Sequence, residues 1–273
     1  MPVTTSQQIT RYFDQFSEAE VTFTREVVQT IMLNTKHVYV KCLGSQWPCI
    51  IYAASMTTAR IITNQQSGLN DCIQKANKVV QLRFSFTDPD KHDQITFFVP
   101  ARVAGMTPYG EKNKDLFFVN LEFNQRPPDA LIQILGQLLE ANVNAKRRKE
   151  ERIPLSAHST KQLGLLPAQC SLAVDGIPRK SILRDLSFSG CKAVLMGLPK
   201  LLINRSATVT LVFNEPEQRF EIPGTICRHD PVEGRNDIAA FGVQFDEAKV
   251  PMAYKMRINS VLKQFRSKAA EPE

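Results

Sequence analysis

The sequence predicts a mainly β fold of two tandem small antiparallel β-barrels, each followed by an α-helix, with a further helix at the N-terminus. Three observations support this prediction. Short runs rich in β-branched and aromatic residues alternate with turn residues in both halves of the chain. A charged segment separates the halves, and each half carries a similar pattern ahead of its last helix. With 273 residues, the chain is long enough for two domains that each bury a core.

The first half is predicted to hold one helix and then a small barrel or sandwich. The helix is indicated by Ile9, Tyr12, Phe13 and Phe16, which recur at the i, i+3, i+4, i+7 spacing of an amphipathic helix. Six β-rich runs separated by turn residues follow it, at 36–43, 48–53, 59–63, 79–86, 94–103 and 115–123.

A second helix and a charged segment close the first half. The helix is predicted to begin at Pro127 to Asp129 and to end near Val143. Residues 146–152 are then dense in charge, which is typical of a linker. We therefore expect an N-terminal domain of residues 1–144, an arginine-rich linker at 145–153 and a C-terminal domain at 154–273.

The second half repeats this plan. Its β-rich runs lie at 168–174, 180–185, 190–195, 207–213, 218–228 and 238–245, and a basic amphipathic helix follows. The interval from Pro100 to Phe123 is 23 residues and that from Pro223 to Phe245 is 22. This predicts that the halves share one fold, and the alternative is a chance likeness of two hairpins.

The composition excludes several classes of site. The six cysteines and four histidines are scattered without zinc-ligand spacing, so we expect no metal. Gly-rich phosphate loops, H-E-x-x-H and G-x-S-x-G are absent from the sequence, so we expect no cofactor, no catalytic residue and no enzyme activity. Apolar runs of bilayer length and a signal peptide are also absent, which predicts a cytoplasmic protein without membrane insertion.

Two motifs carry chemistry that suits a nucleotide. Arg148 and Arg152 form R-x-x-x-R, preceded by Arg147, and guanidinium groups bind phosphate oxygens or the guanine O6 and N7 acceptors. The alternative is a solvated charge run in which the interleaved residues Glu150 and Glu151 pair with the arginines.

The second motif is D-x-S-x-x-G, formed by Asp185, Ser187 and Gly190. Alternation along a strand predicts a polar row on one face, formed by Asp185, Ser187 and Ser189, with Leu186 and Phe188 towards the core. Asp can accept from guanine N–H groups, Ser can donate to phosphate, and Gly lets the backbone approach a ligand. The alternative is an ordinary surface turn.

Together, in this order and spacing, the motifs resemble the PilZ family of cyclic di-GMP receptors, over roughly residues 146–268. The resemblance implies that Arg148 and Arg152 fold over the ligand, while Asp185, Ser187 and Gly190 hold a guanine on the barrel. Arg147, a basic residue before the first motif arginine, implies two intercalated cyclic di-GMP molecules at one site. Ligand would then order the linker and change the orientation of the domains.

The first half resembles the module that precedes the PilZ domain in two-domain receptors of the flagellar-brake type. Aligned with the second motif, it has Ala53 at the Asp position and Thr58 at the Gly position. We therefore expect that residues 1–126 bind no nucleotide and act as a surface for a protein partner or as a lever arm, with motility or virulence as the output.

Two other functions stay open. A net charge of +7 and the basic segment 146–152 would suit a nucleic-acid-binding β-barrel, although aromatic residues are not interleaved with these basic residues. A PilZ-like adaptor that binds no ligand is the other alternative.

Overall fold

The computed structural model describes residues 5–64, 68–88, 93–110, 115–214, 216–232 and 234–269. The chain divides into two compact units, Met1–Glu140 and Ala141–Glu273.

The described residues of the first unit form eight strands, with one helix before the first strand and another after the last. Its helices are α1 (Ser6–Phe16), α2 (Arg25–Thr30), α3 (Leu69–Lys75) and the first part of α4 (Asp129–Arg147). Its strands are β1 (Val21–Thr22), β2 (Tyr39–Cys42), β3 (Ser45–Pro48), β4 (Ile50–Ala54), β5 (Thr58–Asn64), β6 (Val79–Thr87), β7 (Gln94–Pro108) and β8 (Leu116–Phe123).

The second unit has the same number of strands. These are β9 (Arg152–Pro154), β10 (Ser171–Val174), β11 (Ile177–Arg179), β12 (Ser181–Ser187), β13 (Gly190–Met196), β14 (Ser206–Asn214), β15 (Glu217–Val232) and β16 (Arg235–Phe245). Its helices are α5 (Ala157–Leu163), α6 (Pro199–Leu202) and α7 (Met252–Ala269), together with the end of α4.

Each unit forms one eight-stranded antiparallel sheet. The orders are β1-β4-β5-β8-β7-β6-β2-β3 and β11-β10-β14-β15-β16-β13-β12-β9. Read in reverse, the second order is the first with every strand replaced by the strand eight places later. The prediction of two related halves is therefore confirmed, as is the mainly β class. Closure into barrels is not confirmed, since within the described residues no ladder joins the edge strands of either sheet.

The two sheets also share the positions of two β-bulges. The register shifts between Ile51 and Ala53 in β4, and at the matching place between Leu183 and Asp185 in β12. It shifts again between Val103 and Gly105 in β7, and between Ile226 and Arg228 in β15. Related positions in the two units can therefore be compared residue by residue.

The core of the second unit lies between its sheet and α7. Tyr254 of α7 is fully buried, and its ring lies edge-on to Phe220 and to Phe245. Its hydroxyl donates to the carbonyl oxygen of Ser187 at 2.7 Å, which fastens the end of β12 to the helix. Burying a large side chain of this kind contributes about 1.5 to 3 kcal/mol, so α7 is an integral part of the unit.

Helix α4 ends at Arg147, four residues later than the sequence predicts. Two contacts within the second unit explain the difference: Ala145 is buried in the core, and Asn144 Nδ2 donates to Asn259 Oδ1 at 2.8 Å. Basic residues in a last turn also interact favourably with the helix dipole. Lys146 and Arg147 of the predicted linker are therefore helical, and its other end is strand β9.

Candidate functional site

The two sequence motifs meet where β9 pairs with β12. In this short ladder Arg152 lies opposite Ser187, and Pro154 lies opposite Asp185. Arg152 Nη1 donates to Asp185 Oδ1 at 2.6 Å, and the two side chains are only 26% and 16% exposed. Residues 33 positions apart in the chain thus form one cluster.

Asp185 keeps a free acceptor in this cluster. Its Oδ1 also accepts from the backbone N–H of Lys192 at 3.0 Å. Within the described part of the chain, both hydrogen bonds of the carboxylate go to this one oxygen, which leaves Oδ2 for other donors. A carboxylate fixed by Arg152 on one side can accept N–H donors of a guanine on the other.

Ser187 differs from the predicted polar row. It is fully buried, and its hydroxyl donates to the carbonyl oxygen of Gly190 at 3.0 Å. The chain turns directly after Ser187, and Tyr254 covers the carbonyl on the same residue. The prediction that alternation leaves this hydroxyl on an open face is therefore wrong. Ser187 shapes the turn that carries the motif.

Gly190 is required by the neighbouring strand. It lies opposite Gln244 in β16, and a Cβ at Gly190 would overlap the carbonyl oxygen of Val243. The sequence predicts that this glycine lets a ligand approach the backbone closely. The structure gives the close approach to a backbone carbonyl of the same sheet.

The remaining arginines are Arg147, the last residue of α4, and Arg148, in the turn between α4 and β9. Arg147 and Arg148 are both exposed. Arg148 Nη1 lies 3.5 Å from Glu151 Oε2, which is the pairing that the charge-run alternative describes. An exposed ion pair of this kind contributes at most about 1 kcal/mol, so a ligand phosphate can replace Glu151 at small cost.

Other contacts fix the backbone of this turn. Ser189 Oγ donates to the carbonyl oxygen of Lys149 at 2.8 Å, which joins the turn to the second motif. Lys149 Nζ lies 2.6 Å from Glu247 Oε2, and this hydrogen bond lowers the pKa of Glu247. The exposed arginines therefore lie at the end of α4 and on the turn after it, and this turn is tied to the sheet beside Asp185.

Sequence reasoning missed two cations on the same face of the sheet. Lys192 lies opposite Asp185 in β13, and Arg228 lies two strands further on, in β15. Lys192 Nζ contacts Asp230 Oδ2 at 2.6 Å and lowers the pKa of Asp230. Alternation from Gly190 could have predicted that the Lys192 side chain faces outward. The direction of the Arg228 side chain could not be predicted in this way, because the bulge before it interrupts the alternation.

The charge around the cluster suits a ligand with two phosphates. Five ion pairs lie in and beside it: Arg152 with Asp185, Lys192 with Asp230, Arg148 and Arg266 with Glu151, and Lys149 with Glu247. Arg147 and Arg228 are exposed and form no ion pair among the described residues. These two cations match the two negative charges of such a ligand.

The first unit lacks the motif arginines, aspartate and glycine at the matching positions. The register confirms the predicted alignment: Ala53 occupies the place of Asp185, and Thr58 that of Gly190. Counting back from the pairing of Val21 with Ala54 puts Glu20 at the place of Arg152 and Phe16 at that of Arg148. The motif chemistry is thus confined to the second unit.

Metal and membrane features are also absent from the described part of the chain. No group of three or more His, Cys, Asp or Glu side chains in it could hold a metal ion. None of its helices is both long and apolar enough to span a bilayer.

Comparison with known proteins identifies both units. A sequence model of the PilZN3 domain matches residues 7–142, and one of the PilZ domain matches residues 146–259. A cyclic di-GMP binding protein of Treponema denticola is 40% identical over 271 residues, which cover 99% of this chain and 86% of the relative.

Solved structures resemble the chain less closely. The crystal structure of the Borreliella burgdorferi PlzA protein in complex with c-di-GMP has a TM-score of 0.43 and 21% identity, covering 94% of this chain and 98% of that one. YcgR in complex with c-di-GMP from Escherichia coli has a TM-score of 0.30 and 14% identity, with 90% of each chain covered. Both TM-scores are below 0.5, so the assignment depends on the sequence comparisons.

Proposed function

The chain belongs to the PilZ family, with a PilZN3 domain followed by a PilZ domain, and from this membership we propose that it is a receptor for cyclic di-GMP and not an enzyme. The observation that carries the proposal is the 2.6 Å contact between Arg152 and Asp185, which joins the two motifs into one cluster. The 40% identical relative, whose name states cyclic di-GMP binding, supports the same ligand.

The residues divide the work of binding in this proposal. Arg147, at the end of α4, and Arg148, in the turn after it, contact phosphate oxygens, and Arg152 orients Asp185. Asp185 Oδ2 accepts N–H groups of one guanine. Ser187 and Gly190 act through the backbone: the first closes the turn, and the second lets β13 lie against β16.

We propose that two cyclic di-GMP molecules occupy the site, since three guanidinium groups flank it. In this proposal cyclic di-GMP is the ligand itself, and no cofactor takes part in binding.

We also propose that the protein acts in the cytoplasm.

The output we propose is a change in the orientation of the two domains, whose limits are 1–144 and 154–273. Segment 145–153 joins them and carries the ligand arginines, so a ligand that engages it can favour one arrangement. The size of the effect is set by the difference in ligand affinity between the arrangements. Small-angle scattering tests this: a curve unchanged by saturating ligand would contradict it.

The first unit would contact the protein partner, and motility is the output we favour.

The sheet of the first unit, like that of the second, has eight strands with two bulges, and we propose that each sheet curves into a small barrel.

One observation favours nucleic-acid binding as a second candidate. In the first unit Arg83 lies over the ring of Tyr39, with 4.8 Å from Cζ to the centroid, and Lys41 lies 5.7 Å from that of Phe98. Cations and aromatic rings are thus interleaved on β2, β6 and β7, although they are not in segment 146–152. Such a face can stack bases.

A competition experiment separates the two candidates. Labelled cyclic di-GMP is bound to the full-length protein and challenged with unlabelled cyclic di-GMP, GTP or single-stranded RNA. The receptor proposal expects displacement by cyclic di-GMP alone. Failure to retain the label, with tight and salt-sensitive RNA binding, would favour the second candidate.

A further inference from the structure

A row of four residues crosses the sheet of the second unit, beginning at Asp185. Lys192 lies opposite Asp185, Gly242 lies opposite Lys192, and Arg228 lies opposite Gly242. The row faces away from the core, because the adjacent register row is buried within it: Leu186, Cys191, Val243 and Ile226. The face that carries Asp185 therefore continues past β13 to Arg228, across β16 and β15, where no motif residue lies.

Two β-bulges set this row. Arg184 is the extra residue before Asp185, and Cys227 is the extra residue before Arg228. A bulge re-aims the side chain that follows it, and bulges are frequent beside functional sites. Both ends of the row are thus directed onto one face by the same device.

Gly242 makes room for Arg228. A Cβ at Gly242 would lie 2.6 Å from Arg228 Cγ and 2.8 Å from its Nε, so the arginine stem runs directly over the glycine. Arg228 is exposed. Arg152 is paired with Asp185 and Lys192 with Asp230, whereas Arg228 has no ion pair among the described residues. Its guanidinium donors are therefore available to a ligand.

The matching row of the first unit shows that this arrangement goes with the motif. There Arg60 lies opposite Ala53, Asn120 opposite Arg60, and Gly105 opposite Asn120. Glycine thus stands at the place of Arg228, and Asn120, which accepts from Arg60 Nε at 3.1 Å, stands at the place of Gly242. The unit that lacks the motif also lacks the cation and the open position beneath it.

We propose that Arg228, held over Gly242, is a further ligand-binding residue that donates to phosphate or guanine oxygens of cyclic di-GMP. The proposal deepens the receptor function and rests on it. It extends the site from β12 across β13 and β16 to β15.

The test is calorimetric titration of cyclic di-GMP into the full-length protein and its Arg228→Ala variant. Loss of one charge-assisted contact is expected to raise the Kd about tenfold. Arg219→Ala is the matched control, because Arg219 is an exposed arginine of the same strand, paired with Glu221. It removes the same charge and should leave the Kd within about twofold.

Gly242→Ala tests the support beneath the arginine. The added methyl displaces Arg228, so the variant should also bind more weakly. In an Arg228→Ala background it should have no further effect, since there is no long side chain left to displace. Equal urea midpoints would show that the variants are folded.

The outcomes separate this inference from the receptor function. If Arg228→Ala binds like wild type while Arg148→Ala has lost binding, the receptor function stands and the inference is wrong. If Gly242→Ala weakens binding equally in the wild-type and the Arg228→Ala protein, the added methyl does not act by displacing Arg228. If wild type binds no cyclic di-GMP, both proposals are wrong.

Discussion

Arg152 Nη1 and Asp185 Oδ1 lie 2.6 Å apart, and each residue belongs to a different sequence motif. Strand β9 has only three residues, and Ile153 between Arg152 and Pro154 is fully buried. The buried side chain holds the strand against β12, and this pairing brings the guanidinium to the carboxylate. Packing of one isoleucine therefore positions the charges of the candidate site.

Replacing Arg152 should lower stability as well as ligand binding. Arg152→Ala leaves Asp185 mostly buried without its charged partner, which is expected to cost about 1.5 kcal/mol in the free energy of unfolding. Urea denaturation measures this. Arg219→Ala, in an exposed pair, should change it by less than about 0.5 kcal/mol. Equal losses of unfolding free energy in the two variants would show that the contact of Arg152 with Asp185 stabilises the protein no more than an exposed ion pair does.

Gly190→Ala should destabilise the protein without any ligand being present. The new methyl would collide with the carbonyl oxygen of Val243, and relieving the overlap is expected to cost about 2 kcal/mol. Gly110→Ala is the control, because no described residue has an atom within 4 Å of a Cβ there. Thermal melts compare the two. If Gly190→Ala is as stable as wild type, the overlap with Val243 does not explain the glycine, and close approach of a ligand would be the better explanation.

Thiol reactivity should separate buried from exposed cysteines. Burial raises the pKa of Cys49 and of Cys191 to about 12, whereas Cys227 is exposed. At pH 8 a disulfide reagent should modify Cys227 quickly and reach the other two only after unfolding. Cys227→Ala should remove the fast reaction. Rapid modification of Cys191 in the folded protein would contradict the burial of this strand.

The same thiols make stability depend on alkaline pH. Their folded pKa exceeds the unfolded value of about 8.5, so the neutral thiol is favoured in the folded state. The stability that they contribute is complete below about pH 8.5 and is lost as the pH rises towards 12. The urea midpoint should therefore decrease as the pH is raised through this range.

Arg147 should set the number of ligand molecules. Arg147→Ala is expected to reduce the calorimetric stoichiometry from two cyclic di-GMP per chain to one, because a guanidinium that serves the second nucleotide is removed. Lys146→Ala is the control, since Lys146 is exposed in the same last turn of α4. Wild type that saturates at one equivalent would reject the two-ligand proposal and leave the receptor function intact.

Much of the fold could be predicted from local sequence. The hairpins β7–β8 and β15–β16 are long and alternate regularly, and their similar Pro-to-Phe intervals revealed the repeat. The motif residues Asp185 and Arg152 were found because their residue types and spacing are distinctive. Each of these signals comes from one hairpin or one short motif, where propensity and alternation are informative.

The rest depends on tertiary contacts that a single sequence does not display. Strand β9 lies in a charged run and forms only because Ile153 is buried against β12. Ser187 looked exposed, but the turn after it and Tyr254 enclose it. Arg228 follows a bulge, which shifts the phase of alternation and hides its place beside Gly242.

The most direct test of the account is calorimetric titration of cyclic di-GMP into wild type, Arg148→Ala and Asp185→Asn, with GTP as the control ligand. Asp185→Asn keeps the shape of the side chain and removes its charge, so a free energy of unfolding from urea denaturation within about 1 kcal/mol of wild type would show an intact fold. The account predicts saturable heat with wild type, none with GTP, and binding weakened about a hundredfold or more in each variant. Wild-type affinity in both variants, or no heat with wild type, would contradict it.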